Sequence, residues 1–200
     1  MLSFYQHIPK TIRCFIAVPL PESVKIHIHK IQENICSLGL KMRWIKPENI
    51  HLTLKFLGDI PFSDIDAVYR AMAQTSESFK PLTLGIKGIG VFPSIKNPRI
   101  LWMGMKEETH TLIQLQQSLE NNLIHLGFQK EKRSFKAHLT IARIKNRIFP
   151  KDLLEVIEKY KKFELEPFIA NDIILYKSVL KPTGAVYTKL KTITLSEIDR

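Results

Sequence analysis

The chain has 200 residues, of which 44% are apolar, and a formal net charge of +11. This apolar content is enough to bury a sizeable core in one domain or in two tightly packed lobes. No apolar run is long enough for a signal peptide or a membrane span, and no block of like charges suggests a disordered nucleic-acid-binding tail. Cys14 and Cys36 form no CxxC pair, which is typical of a reduced chain. We expect a soluble, cytoplasmic, monomeric protein whose positive charge favours a polyanionic partner.

Strand-like and helix-like segments alternate along the chain without a linker-like stretch. Apolar residues at helical spacing mark the helices, and glycine or proline ends several elements. In chain order we predict a leader (1–12), a strand (13–18), a helix (21–38), strands (42–45 and 50–57), a helix (63–76), strands (82–92 and 100–105), a helix (109–126), a strand (136–143), a helix (150–160) and strands (169–178 and 185–195).

Two of these strands carry the same short motif. His51-Leu52-Thr53-Leu54 is repeated 87 residues later as His138-Leu139-Thr140-Ile141. Because side chains alternate across a strand, the His and Thr of each motif share one face and the two apolar residues point to the other. Each motif therefore presents an imidazole beside a hydroxyl on one surface.

The order strand, helix, H-x-T strand occurs twice, over residues 13–57 and 100–143. This repetition indicates an internal duplication, which would bring the two motifs to one cleft. We predict an α+β fold of two similar lobes, with two mostly antiparallel sheets facing a central cleft and helices outside. Residues 13–200 would form this single bilobal domain. The alternative is an ordinary α+β sandwich in which the two motif strands never meet.

The sequence does not predict a metal site. His27 and His29 would suit a metal on a strand, but a helix points their rings in nearly opposite directions. No other group of His, Cys or carboxylate residues has ligand spacing. We therefore predict neither a metal nor another cofactor.

Two imidazoles and two hydroxyls suit the cleavage of a phosphodiester. Imidazole titrates near physiological pH, so one His can act as base towards the incoming water and the other as acid towards the departing oxygen. Thr hydroxyls can donate to the non-bridging oxygens, where negative charge concentrates. No metal is needed if the phosphate is already strained, as in a five-membered 2′,3′-cyclic phosphate.

Paired H-x-T-x motifs are the mark of the two-histidine (2H) phosphoesterases, and the chain resembles one branch, the RNA 2′,3′-cyclic phosphodiesterases, also called 2′–5′ RNA ligases. The resemblance covers nearly the whole chain from Arg13 onward. Its residues are RCFIAVPLPESV, MRWIKPENIHLTLKFLGDI, GIGVFPSIKNPRILWMGM, LGFQKEKRSFKAHLTIAR and LYKSVLKPTGAVYTKL. Ala137 stands where the family often has proline, which is a matter of backbone rather than chemistry.

The resemblance implies a bilobal fold with a basic central cleft between the motifs. It also implies metal-independent hydrolysis of a 2′,3′-cyclic phosphate, at an RNA end such as that of a tRNA fragment or in a cyclic nucleotide, to a 2′-phosphomonoester. By analogy with the family, His51 donates a proton to the departing 3′ oxygen and His138 accepts one from water. Thr53 and Thr140 would hold the phosphate. Exchange of the two roles would account for reversible 2′–5′ ligation.

Further residues are candidates for substrate binding. Arg143 matches an arginine that commonly ends the family's second motif, although on a regular strand it faces away from His138. Lys55 shares the face of His51 and would raise the positive potential of the cleft. Phe56 has the opposite parity, which favours core packing, and Phe92 could stack a base or belong to the core.

Two alternative functions remain open at the level of the sequence. The first is a non-catalytic RNA-binding module, although binding alone would not need two titrating groups. The second is a 2H phosphodiesterase acting on another small substrate, such as a 2′–5′ oligonucleotide or an ADP-ribose cyclic phosphate.

Overall fold

The computed structural model describes residues 11–106 and 110–195. Strands and helices alternate as the sequence predicts, with 3₁₀ turns at Pro47–Asn49 and Phe62–Asp64. The elements are β1 (Thr11–Pro19), α1 (Glu22–Cys36), β2 (Arg43–Trp44), β3 (His51–Pro61), α2 (Ile65–Ser76), β4 (Leu82–Ser94), β5 (Asn97–Met105), α3 (His110–Ile124), β6 (His138–Arg143), α4 (Pro150–Tyr160), β7 (Glu164–Ala170), β8 (Asp172–Lys181) and β9 (Gly184–Thr194).

The strands form two wings of one sheet, each with its motif strand at the centre of the sheet. The first wing has the order β3-β1-β8-β9 and the second has the order β6-β5-β4-β7, with β2 beside β6. All pairings between described strands are antiparallel. The predicted α+β duplicated architecture is confirmed. The two expected sheets are joined into one sheet at its centre, because β3 pairs with β6 through Leu52 and Leu139.

One face of the sheet is covered by helices. The apolar sides of α1 and α3, including Ile28 and Leu119, pack in one core cluster with strand residues such as Ile16 and Leu52. Phe15 is also buried, but it lies outside this cluster because it points to the opposite face. That second face of the sheet carries the His and Thr side chains of both motifs.

Two predicted boundaries were wrong. β1 begins at Thr11, and Ile12 is buried, so the end of the predicted leader belongs to the sheet; residues 1–10 lie outside the described residues. The single strand predicted over 169–178 is two strands, β7 and β8, which meet at Asn171. Pro167 and the charged residues around it concealed β7, which tolerates a proline because it lies at the edge of the sheet.

None of the described helices combines the length and the apolarity that are needed to cross a bilayer.

Candidate active site

The two motifs meet where β3 pairs with β6. Leu52 is the register partner of Leu139, and both side chains are fully buried on the helix side of the sheet. Continuing this antiparallel register by one residue sets His51 opposite Thr140 and Thr53 opposite His138. All four side chains are partly exposed on the other face. The pairing thus brings the imidazole and the hydroxyl of both motifs to one face of the sheet on neighbouring strands.

Both imidazoles are oriented by the same backbone contact. His51 Nδ1 lies 2.8 Å from the carbonyl oxygen of Asn49, and His138 Nδ1 lies 2.6 Å from that of Lys136. A carbonyl oxygen only accepts, so Nδ1 of each ring carries a hydrogen and donates it. In both neutral rings the Nε2 atom is therefore the one that can accept a proton from a reactant.

His51 lies within an aromatic cluster of the first wing. Its ring stacks on Phe15 with a centroid distance of 4.6 Å and meets the edge of Tyr187 at 5.3 Å. Burial lowers the pKa of His51 from 6.5 to about 4, the Asn49 carbonyl opposes this shift, and the charge of His138 adds to it. The last effect means that the two imidazoles are close enough to repel each other when both are charged.

His138 has its own aromatic neighbours in the second wing. Phe92 meets the ring edge-on at 5.0 Å, and Trp102 does so at 6.5 Å. A side chain at Gly90 would collide with the Trp102 indole, since an added Cβ would lie 2.3 Å from it. Gly90 thus permits the indole to lie flat against β4. The sequence allowed Phe92 either to stack a base or to belong to the core. In the structure it lies beside the second motif.

Each motif ends in a bulge at its fourth residue. In the first wing Ala17 pairs with Thr53 and Ile16 with Lys55, so Leu54 is skipped. In the second wing Trp102 pairs with Thr140 and Leu101 with Ala142, so Ile141 is skipped. An extra residue reverses the alternation of every side chain beyond it. Lys55 and Phe56 in the first wing, and Ala142 and Arg143 in the second, therefore point opposite to the sequence-based expectation.

The prediction that Lys55 faces the cleft is wrong because of this bulge. Its side chain is buried on the helix side, where Nζ lies 2.8 Å from the Glu120 carboxylate and 2.7 Å from the Gln129 carbonyl oxygen. Phe56, which we expected in the core, is 69% exposed, and its ring lies 6.1 Å from that of Phe15. The two residues have exchanged the faces that strict alternation assigned to them.

The corresponding bulge at Ile141 in the second wing brings Arg143 to the face of the histidines. Strict alternation opposed this, but Ala142 takes the buried position beside Leu101, and Arg143 follows it on the other face, where it is exposed. Burial raises the pKa of Tyr187, and the positive charge of Arg143 acts against that rise. The Arg143 guanidinium of the second wing therefore lies within electrostatic reach of a tyrosine that touches His51.

Three aromatic residues of the site escaped the sequence analysis. Phe15 comes from β1, and Tyr176 and Tyr187 come from the β8–β9 hairpin. Their alternation within strands was visible, but their partner strands lie far away in the chain. A cavity of about 280 Å³ opens beside His51, and both tyrosines line it together with Asn49 and Lys189.

The family model described as "LigT like Phosphoesterase" matches residues 18–102 and 104–187, and each segment contains one H-x-T motif. The chain belongs to the LigT-like phosphoesterases. The two matched segments, with one motif in each, agree with the duplication seen in the fold.

Several relatives are similar over nearly their full length. Two proteins named RNA 2′,3′-cyclic phosphodiesterase are 32% and 35% identical: that of Methanothermobacter thermautotrophicus over 184 residues (92% of this chain, 99% of that protein) and that of Methanocaldococcus jannaschii over 180 residues (90% and 99%). Among solved structures, a Thermus thermophilus protein has a TM-score of 0.78 at 24% identity (93% of this chain, 100% of the other). Escherichia coli LigT complexed with 3′-AMP has a TM-score of 0.72 at 22% identity (94% and 99%). These structures share the LigT-like fold.

Within the described part of this LigT-like chain, no three His, Cys, Asp or Glu side chains are grouped as metal ligands. The histidines of α1 instead have local partners: His27 Nδ1 lies 2.7 Å from the Ser23 carbonyl oxygen, and His29 lies 3.6 Å from Glu33.

Proposed function

We propose that this protein hydrolyses the 2′,3′-cyclic phosphate at an RNA 3′ end to a 2′-phosphomonoester, with His51 and His138 as acid and base and without a metal. The observation that carries the proposal is the antiparallel pairing of Leu52 with Leu139, which groups both imidazoles and both hydroxyls on one face. The relatives named RNA 2′,3′-cyclic phosphodiesterase support the substrate class.

In the proposed reaction His138 Nε2 takes a proton from water while the water oxygen bonds to phosphorus. The bond from phosphorus to the 3′ oxygen breaks, and His51 Nε2 delivers a proton to that oxygen. Thr53 and Thr140 donate to the non-bridging oxygens, and Arg143 neutralises the developing charge on them. The products are a 2′-phosphate and a 3′-hydroxyl. A 5′-hydroxyl in place of water would give a 2′–5′ linkage by the same proton transfers, and the reverse cleavage of that linkage would exchange the roles of the two imidazoles.

The acid role requires that His51 gain a proton when substrate binds. With a pKa of about 4, this imidazole is neutral in the free protein at pH 7. An anionic phosphate held against Nε2 favours the charged imidazole and opposes the effect of burial. Substrate binding would thus promote the protonation of His51 that its acid role requires, while His138 acts as the base.

The direction of the RNA follows from the same assignment. The departing 3′ oxygen carries the ribose and the rest of the strand, so the RNA lies on the His51 side and water approaches from the His138 side. The His51 side offers the stacked rings of Phe15 and Tyr176 and the cavity beside them. Lys189 at this cavity would attract the next phosphate of the strand.

Product analysis tests the proposal. An RNA oligomer ending in a 2′,3′-cyclic phosphate is incubated with the protein and EDTA, and the product is compared with 2′- and 3′-phosphate standards. We expect a 2′-phosphate at an undiminished rate. A 3′-phosphate, or an activity lost with EDTA and restored by zinc or manganese, would contradict the mechanism. Binding without turnover would favour the RNA-binding module, and faster turnover of a 2′–5′ oligonucleotide or an ADP-ribose cyclic phosphate would favour the other 2H substrates.

A further inference from the structure

Each motif bulge is contacted by a buried glutamine from a helix. Gln32 of α1 donates through Nε2 to the carbonyl oxygen of Ile141 at 2.8 Å, and Gln116 of α3 donates to that of Leu54 at 3.4 Å. Leu54 and Ile141 are the residues that the strand register skips at the ends of the two motifs. The glutamines are only 3% and 6% exposed, so both amides are placed in the core for these contacts.

The two contacts cross between the halves of the chain. Gln32 lies in the helix that precedes the first motif, yet it binds the bulge of the second motif. Gln116 lies in the helix that precedes the second motif, yet it binds the bulge of the first. Each helix therefore supports the motif of the other half.

A bulge in the core is stabilised by such a partner. The skipped residue loses its place in the ladder to the neighbouring strand, and its buried carbonyl oxygen has two lone pairs that can each accept a hydrogen bond. The competing arrangement is a regular ladder, reached when the strand end slips by one residue. Slippage would turn Arg143 and Phe56 away from the face of the histidines and bring Lys55 into the cleft. A donor aimed at the bulge carbonyl favours the bulged register.

The surrounding contacts strengthen both supports. Gln32 Nε2 also donates to the Ile45 carbonyl oxygen at 2.8 Å, while the Ile45 amide donates to Ile141 at 3.0 Å. On the other side, Gln116 donates to Glu120 at 3.4 Å, and the same carboxylate lies 2.8 Å from Lys55 Nζ. The second bulge thus has the shorter glutamine contact, and the first has an ion pair in addition.

We infer that Gln32 and Gln116 are crossed positioning residues: Gln32 holds Arg143 of the second motif on the reactive face, and Gln116 holds the end of the first motif in the same way. Neither glutamine touches the substrate. The kinetic part of the inference rests on the proposed function, whereas the structural part does not.

The kinetic test compares Gln32→Met and Gln116→Met, which keep the side-chain volume but remove the donor, with Thr75→Val. Thr75 is fully buried, and its hydroxyl donates to the Ala71 carbonyl oxygen at 2.8 Å and accepts from Asn122 Nδ2 at 2.9 Å, so its loss costs two buried hydrogen bonds without touching a motif. All three variants should lose about 2–4 °C in Tm. Only the glutamine variants should lose at least about tenfold in kcat on cyclic-ended RNA.

A double-mutant test identifies the route of the effect. In an Arg143→Ala background, Gln32→Met should add little further loss, because the residue that it positions is already absent. The losses in kcat caused by Gln116→Met and Arg143→Ala should multiply in the double variant, because Gln116 acts on the other motif. The inference would be overturned if the glutamine variants had a lowered Tm but an unchanged kcat. It would also be overturned if the losses in kcat of Gln32→Met and Arg143→Ala multiplied in the double variant.

Thiol labelling gives a readout that needs no activity. The exposed Cys36 is replaced by serine, and Cys14 is buried, so a cysteine introduced at Phe56 or Arg143 reports its own exposure. Gln116→Met should slow the labelling of Phe56→Cys by at least about threefold and leave the labelling rate of Arg143→Cys unchanged. Gln32→Met should instead slow the labelling of Arg143→Cys and leave that of Phe56→Cys unchanged. Equal labelling in all variants would refute crossed positioning. If this labelling pattern holds but the wild-type protein does not hydrolyse the cyclic phosphate, the proposed function fails and the positioning role stands.

Discussion

Leu52 and Leu139 are register partners at the junction of β3 and β6, and neither side chain is exposed. This one pair fixes how the two halves of the chain meet. Because it lies on the helix side, the residues on either side of each leucine must point into the opposite face. The buried pair thus determines that two imidazoles and two hydroxyls share a surface.

Removal of either imidazole should abolish most of the turnover. We expect His51→Ala and His138→Ala each to lower kcat by at least about 10²-fold, as for the loss of a general acid or base. Thr53→Ala and Thr140→Ala should cost about 1–3 kcal/mol in transition-state stabilisation. The double histidine variant should be scarcely worse than the poorer single one, because the two act as one relay.

The measurement is steady-state kinetics on cyclic-ended RNA, with His29→Ala, an exposed histidine of α1, as the control. Near-normal turnover of both single histidine variants would remove the basis for the phosphodiesterase mechanism and favour an RNA-binding role.

The partly buried His51 should make the fold less stable in acid. Its pKa is about 4 in the folded protein and 6.5 ordinarily, so the unfolded chain binds more protons between these values. Stability from this group is complete above pH 6.5 and is lost as the pH falls towards 4, by on the order of 3 kcal/mol. Urea unfolding at about pH 7.5, above this window, and at about pH 4.5, near its lower end, should show a smaller difference in stability for His51→Gln than for the wild type. An equal difference for both proteins would mean that His51 is not held neutral by burial.

Substrate binding should reverse this pKa shift. In ¹³C- or ¹⁵N-detected titrations of the histidine rings, saturating nucleoside 2′-monophosphate should raise the pKa of His51 from about 4 by at least about one unit. The exposed His29 serves as the internal reference. A pKa that stays at its free value would exchange the proposed roles, with His51 as base and His138 as acid.

Sequence reasoning located the four motif residues because the alternation of a strand is local and holds from His51 to Thr53 and from His138 to Thr140. The prediction of side-chain direction failed beyond Thr53 and Thr140, where the bulges begin. Leu54 and Ile141 look like ordinary strand residues, and nothing local marks them as bulged. The bulges arise from pairing with β1 and β5 and from the glutamines of α1 and α3, which are remote contacts. Lys55, Phe56 and Arg143 were therefore assigned to the wrong faces together, for one physical reason.

The buried ion pair of Lys55 and Glu120 should be structural. Glu120→Gln or Lys55→Met should each destabilise the fold by about 3–5 kcal/mol, because the remaining partner is left charged in the core without its counter-ion. The double variant Lys55→Met/Glu120→Leu should recover much of this loss. Arg143→Ala should show the converse, with reduced turnover and near-normal stability. Denaturant unfolding and kinetics on the same samples distinguish the two residues, and a Lys55 variant with normal stability would contradict the burial of its charge.

The RNA strand should leave the site past Lys189. This lysine lines the cavity beside His51, whereas the terminal phosphate is held by the motif residues. Lys189→Ala should therefore raise KM severalfold for an oligomer with a cyclic end and leave KM for a 2′,3′-cyclic mononucleotide unchanged, because only the oligomer has a further phosphate. Lys151→Ala, an exposed lysine of α4, removes the same charge and serves as the control. The difference should shrink with added salt. If Lys151→Ala has an equal effect, net charge alone attracts the RNA; if oligomer KM is unchanged in Lys189→Ala, the strand leaves by another route.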